Sequence, residues 1–249
     1  MRRRTLLGAA AAAPLALLPA DRATAATPGW ARATTPGSAG LVALTFDDGP
    51  SAEITPTVLS TLRRYQAKAT FFLQGEHAAA RPDLVRAIAA DGHVIGNHSW
   101  SHPRFTSLTA EQARTEIVRT NDTIEQITGT RPVLFRYPFG EETADGNAVI
   151  REQGMWGGVL WHWTNPLPGD FECPGAAGVQ KYVVGNAVDQ ALILLHDGND
   201  VVQCGSGQLS YLGRTITELR RRGFALGVVD IAWGPSRVNQ QSWVQVVPA

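Results

Sequence analysis

Short apolar runs alternate with amphipathic stretches along most of this chain. Seven runs read as buried strands: 41–46, 69–73, 93–96, 133–135, 156–161, 192–195 and 224–229. Between them the period lengthens to that of a helix. Residues 55–66 are helical, and Pro82 with Gly92 brackets a second helix around Leu84, Val85 and Ile88. Thr109 and Gln112 form a capping box, Ala113, Ile117, Ile124 and Ile127 share one face, and Gly129 stops that helix. A last helix, 209–222, buries Leu209, Leu212, Ile216 and Leu219 before Gly223. Strands separated by helices predict an α/β fold, a parallel sheet with right-handed crossovers. Seven strands favour a closed or nearly closed barrel in a single domain. In such barrels the working residues follow the carboxyl ends of the strands.

The ends of the chain break this pattern. Arg2, Arg3 and Arg4 lead into an apolar run over 6–18, and Ala23 and Ala25 offer small residues before a cleavage point. Residues 1–25 therefore read as a secretory signal peptide, and Arg3-Arg4 as a twin-arginine type. A retained anchor is the competing reading, but the run falls short of the roughly 20 residues that span a bilayer. Residues 26–40 are a flexible lead-in, 41–230 the domain, and 231–249 a tail too short for a separate binding module. The whole chain balances 22 Lys and Arg against 22 Asp and Glu; without 1–25 the balance is 18 against 21. Nothing in it favours nucleic acid, or a membrane once the leader is gone. The expected location is outside the cell, free or associated with the wall, and the expected state a monomer. In that oxidising setting Cys173 and Cys204 are expected to pair, closing a loop worth roughly 3–4 kcal/mol.

The polar residues that follow the apolar runs carry the chemistry. Thr45-Phe46-Asp47-Asp48-Gly49-Pro50 ends the first strand, and His98-Ser99-Trp100-Ser101-His102 follows the third. Asp48, His98 and His102 fit one divalent ion, zinc by choice of ligands, with positions left open. The i, i+4 spacing predicts both imidazoles on one side of a helical turn. Asp47 is then free to take a proton from a water activated by that ion. Arg136, directly after a strand, is expected to pair with Asp47 and keep it ionised. His196, also at a strand end, reads as general acid, with Asp170 as the first choice of acidic neighbour and Asp197 the second. His77 and His93 read as surface or core residues. Trp161 and Trp163 are open between sugar stacking and core packing.

In order and spacing these motifs resemble those of the polysaccharide deacetylase family (the NodB homology domain, carbohydrate esterase family four). The likeness rests on 45–50, 98–102, Arg136-Tyr137-Pro138-Phe139-Gly140 and Leu194-Leu195-His196-Asp197, and runs over about 41–229. It implies a distorted (β/α) barrel and hydrolysis of acetyl groups from an acetylated carbohydrate. Asp47 is then the base, Arg136 its orienting partner, His196 the acid and Asp170 its support. By the same resemblance the Tyr137 N–H helps stabilise the oxyanion, Phe139 meets substrate, and Phe171 and Leu194 wall the acetyl methyl. The fourth motif departs from the family: Asn165 replaces an Asp, and Phe171 stands for a Trp. The leading expectation is an N-deacetylase of chitin-type oligosaccharide or peptidoglycan. The alternatives are an O-acetyl esterase of acetylated xylan and a non-catalytic carbohydrate-binding protein.

Overall fold

The computed structural model describes residues 39–198, 203–231 and 244–248, all within one compact unit, Ala33–Ala249. The leader, nearly all of the lead-in, and Trp233 and Trp243 of the tail lie outside the described residues. Among the described residues six strands are formed: β1 (Gly40–Asp47), β2 (Thr70–Leu73), β3 (Val94–Asn97), β4 (Ala191–His196), β5 (Phe224–Ile231) and β6 (Val244–Pro248). Seven helices accompany them: α1 (Thr55–Arg64), α2 (Gly75–Ala80), α3 (Pro82–Ala90), α4 (Ala110–Thr128), α5 (Ala144–Glu152), α6 (Gly175–Gly185) and α7 (Leu212–Arg221). Among the described residues no helix is long and apolar enough to cross a membrane.

β1 is the centre of the sheet. Val42 and Ala43 pair with β4 and β5 at once, whereas Thr45, Phe46 and Asp47 pair with β4 and β2 at once, all in parallel. A strand has two edges, so β4 takes one, and β5 then β2 share the other. Beyond β3 the sheet continues through isolated parallel bridges, Asn97 to Phe135 and Leu134 to Trp156. The Val159 N–H then donates to the Phe135 carbonyl (3.3 Å) and the His162 N–H to Leu192 of β4 (2.8 Å). The sheet thus curls back onto itself as a distorted barrel. All seven expected runs take part, but 133–135 and 156–161 do so through single bridges and not as strands. Gly157 and Gly158, the latter at φ 70°, interrupt the second of them. The sixth strand, β6, runs antiparallel on β5 and was not foreseen.

Strand periodicity sorts the side chains into two layers. Val42, Leu44 and Phe46 of β1, Phe71 and Leu73 of β2, and Ile193 and Leu195 of β4 face the helices in the main core. Ala43, Phe72, Leu134, Val159 and Val229 fill the barrel interior. Thr45 and Asp47 continue the Ala43 face, so the interior turns polar at the carboxyl end of β1. The helix signals behave as read: Thr109 and Gln112 close a reciprocal capping box, and Gly129 ends α4 in the left-handed region. The 209–222 stretch divides into a 3-10 turn, Ser206–Tyr211, and α7.

Candidate active site

Register places the first pair. Asp47 lies directly opposite His196 across the β1–β4 ladder. Paired residues of a parallel ladder show the same face, roughly 4.8 Å apart. His98 enters from β3 one residue past its end. Asn97, the last residue of β3, instead turns outward, its amide donating to Ile117 O and Asn121 Oδ1 of α4 (both 2.8 Å).

Asp48 follows at φ 69°, a left-handed residue that turns its carboxylate back over the barrel mouth. Its Oδ1 lies 3.3 Å from His98 Nε2 and 3.4 Å from His102 Nε2. The three ligand atoms lie within 4.8 Å of one another. Ligands about 2.0–2.1 Å from a tetrahedral ion stand about 3.4 Å apart, so the carboxylate–imidazole spacings fit a single ion. The His98 Nδ1 meets the Arg136 carbonyl at 2.8 Å. A carbonyl only accepts, so Nδ1 holds the proton and Nε2 turns its lone pair to the cluster. Burial by itself would raise the Asp48 carboxyl. When His98 is protonated on both nitrogens, its hydrogen bond and charge, with the charges of His196 and His102, hold it instead well below the usual carboxylate range.

The expected helical turn over 98–102 is not formed. The segment is a loop with Ser99 at φ 67° and His102 at φ 58°, and these left-handed residues bring the second imidazole round. Glu116 of α4 fixes the loop: its carboxylate accepts from the N–H groups of Trp100 and Ser101 (2.8 Å each) and from Ser101 Oγ (2.9 Å). The Asn97 side chain accepts from the Ser99 N–H (2.8 Å), and Ser99 Oγ from the His102 N–H (3.1 Å).

Asp47 is held from the side away from this cluster. Arg136 is 0 % exposed; its Nη1 donates to Asp47 Oδ1 at 2.7 Å and to Thr45 Oγ1 at 2.8 Å, and its Nε to Val159 O at 2.8 Å. The guanidinium lies 4.1 Å from the centre of the Phe72 ring. Burial pulls it below its ordinary pKa, and the charge of Asp47 opposes that. The other oxygen, Asp47 Oδ2, stands 3.6 Å from His98 Nε2. One oxygen is therefore clamped while the second faces the ligand cluster.

On the opposite side His196 is gripped twice by Asp170, through its N–H to Oδ2 (2.7 Å) and its Nδ1 to Oδ1 (2.8 Å). Burial would discharge this imidazole, but the Asp170 charge and hydrogen bond push its pKa up to about 10. Asp170 itself is held by Gln208, whose Nε2 donates to its carbonyl at 2.6 Å. Cys173, three residues on, is bonded to Cys204. Asp197, the second choice as His196's partner, takes a hydrogen bond from Thr55 Oγ1 instead (2.6 Å). Burial, then the charges of Asp48 and Asp47, push its pKa up to about 7.

The substrate contacts divide. Phe139 is 51 % exposed, its ring 4.7 Å from that of His102, with the Arg104 guanidinium 4.3 Å from its centre. Phe171, 38 % exposed, meets the His196 ring edge-on at 5.7 Å and that of Trp163 at 5.9 Å. Leu194 is buried one alternation before His196. The Tyr137 side chain goes elsewhere: its ring packs between Phe105 and Phe135, and its hydroxyl donates to Asn147 Oδ1 at 3.0 Å. Asn165 is likewise committed to structure, donating to Gly185 O (2.6 Å) and accepting no part in the His196 pair.

Three neighbours of the cluster escaped the sequence reading. Gln74 Nε2 donates to Asp48 Oδ1 (3.2 Å), His77 Nδ1 meets the Asp48 carbonyl (2.7 Å), and Thr45 Oγ1 links Arg136 to Ile193 O (2.9 Å). Gln74 had a signal, since it too directly follows a buried strand.

Comparison with known proteins places this arrangement. Residues 34–157 match the family described as polysaccharide deacetylase, a stretch that includes Asp47, Asp48, His98, His102 and Arg136. A peptidoglycan-N-acetylglucosamine deacetylase of Bacillus cereus is 34 % identical over 196 residues, covering 78 % of this chain and 89 % of the relative. The Listeria monocytogenes peptidoglycan-N-acetylglucosamine deacetylase PgdA is 34 % identical over 193 residues; this chain spans 39 % of its length. The family 4 carbohydrate esterase of Streptomyces lividans, solved with acetate, superposes at a TM-score of 0.70 with 32 % identity, covering 85 % of this chain and all of that one. Sequence and fold agree along the barrel, and the chain belongs to the polysaccharide deacetylase family.

Proposed function

We propose that this protein is an exported, metal-dependent N-deacetylase of N-acetylglucosamine-containing glycans, peptidoglycan or chitin-type. The observation that carries the reading is a carboxylate and an imidazole, each bound to an oppositely charged partner, on either side of one ligand cluster. Asp47 is clamped by the buried Arg136 guanidinium, and His196 is kept cationic by Asp170. Asp48, His98 and His102 would hold a divalent cation, zinc by ligand type, which when bound would supply Lewis acidity for the acetyl carbonyl and for a water near neutral pH. Asp47 Oδ2 takes the proton of the attacking water, because Oδ1 is occupied by Arg136. His196 donates from Nε2 to the departing nitrogen, its Nδ1 being held by Asp170. An amine is a poor leaving group unless protonated, so a histidine that Asp170 holds in its protonated form suits an amide more than an ester. Phe139 on one side and Phe171 on the other offer apolar walls to the sugar and the acetyl methyl.

The likeness to two peptidoglycan-N-acetylglucosamine deacetylases supports the N-acetyl substrate, and the Arg-led apolar leader supports export. The test is acetate release from N-acetylated peptidoglycan, chitopentaose and acetylxylan, before and after chelation and zinc re-addition. Release from the first two, abolished by chelation and by Asp47→Asn, is expected. Preferential release from acetylxylan with little loss in His196→Ala assigns the protein as an O-acetyl esterase instead. Glycan binding without acetate release at saturating zinc makes it a binding protein.

A further inference from the structure

The end of the barrel where the parallel strands begin, remote from Asp47 and His196, holds a cavity of about 270 Å³. Its polar walls are Arg63 and Gln66 from the end of α1, Lys68 before β2, His93 before β3, and Arg220 of α7. His93 is 7 % exposed. Its Nδ1 accepts from the Ala69 N–H at 3.2 Å, so that nitrogen is unprotonated and the ring's proton sits on Nε2. Nε2 is buried and has no hydrogen-bond partner among the described residues. Leaving a buried donor without a partner is costly, and what this one lacks is an acceptor.

The groups around it are donors as well. Arg63 Nε uses the Asp91 carboxylate at 2.6 Å, Lys68 Nζ the Asp91 carbonyl, and Arg220 Nη2 the Gln66 carbonyl at 3.2 Å. Three cations thus line one cavity, and only Arg63 among them is paired there with a carboxylate, that of Asp91, in a chain whose charges otherwise balance. Arg63 and Arg220 close helices, where cations offset the exposed carbonyls. That accounts for two of the charges. Lys68, outside any helix, likewise reaches the last carbonyl of α3 while it lines the cavity, so what remains without an acceptor is the imidazole donor. A water would satisfy Nε2 without calling for the cations.

We propose that this cavity binds a phosphate-type oxyanion, held by Lys68, Arg220 and Arg63 and accepting the N–H of His93. The site shares no residue with the deacetylase site and stands whether or not that reading survives. The test is an NMR titration of the full zinc-loaded chain with inorganic phosphate at constant ionic strength, following the His93 imidazole resonances. Saturable movement of those resonances is expected, with the affinity at least ten-fold weaker in Lys68→Gln and in Arg220→Gln and lost in the double variant. Both side chains reach the surface, and circular dichroism checks that the variants remain folded. Phosphate taken up at the zinc registers at His98 and His102 and persists in the double variant, so the two sites read separately. His93 resonances that stay still, or move equally in the double variant, overturn the proposal. Acetate moving them at the same concentrations as phosphate overturns the assignment to phosphate chemistry.

Discussion

Replacing Arg136 by Met tests how much one buried guanidinium contributes to holding the Asp47 carboxylate in place. Methionine keeps the apolar stem over Phe72 but removes the donations to Asp47, Thr45 and Val159. Asp47 is 2 % exposed, so its carboxyl group is left nearly dry and without its ion-pair partner. Breaking one side of a buried ion pair costs about 3–5 kcal/mol. At roughly 2–4 °C per kcal/mol for a domain of this size, that is a fall in Tm of the order of 10 °C. Urea unfolding of the chelated protein gives the number without a contribution from bound metal. The decisive comparison is the double variant Asp47→Asn with Arg136→Met, in which neither charge remains. It should lose at least about 2 kcal/mol less than the two single changes added together, at the upper end of coupling between contacting residues. Additive losses, or a single Arg136→Met within 1 kcal/mol of wild type, refute the argument.

Two further outcomes follow from neighbouring charges. In Asp170→Asn the anion that raises His196 is gone, so the alkaline limb of the pH–rate profile moves down from near 10 towards the ordinary histidine value. With that loss of positioning kcat falls by about 10–100-fold; an unmoved limb removes His196 from proton donation. The protonation of His93 bears on stability and not on turnover. Burial, then the charge of Lys68, depresses its pKa from 6.5 to about 4. Its contribution is full above pH 6.5 and is lost as the unfolded chain takes up a proton that the folded one refuses. Between pH 7.5 and 5 this removes about 2 kcal/mol, measured by urea unfolding in phosphate-free buffer. His93→Asn, whose amide oxygen can accept from the Ala69 N–H, should flatten that slope; an unchanged slope rejects the assignment.

Much of the site was legible because a buried strand rarely ends on a charge without cause. That single rule marked Asp47, Asp48, His98, Arg136 and His196, and the structure gathers them at one barrel mouth. Applied evenly it would also have marked Gln74. What it could not supply was the loop geometry. The i, i+4 spacing of His98 and His102 looks helical in one dimension, whereas two left-handed residues and the Glu116 carboxylate produce the same proximity by another route. The short helices α2, α5 and α6 were passed over: α2 has only six residues, and α6 opens on Gly175 and closes on Gly185. The run 156–161 is rich enough in apolar residues to read as a strand. Its paired glycines are what leave it attached by bridges, a tertiary outcome that composition masks.

That attachment has an evolutionary reading. The wall from Trp156 to Asp170 meets the neighbouring strands at separate points and not along a continuous ladder, and those strand contacts lie before Trp163, beyond which Asn165 is tied only to the end of α6. Residues gained or lost between Trp163 and Gly169 therefore displace no strand register and leave the grip of Asp170 on His196 to be rebuilt by Gln208 and the Cys173 bond. Here a lineage could revise which glycan it accepts while its proton-handling apparatus stays as it was.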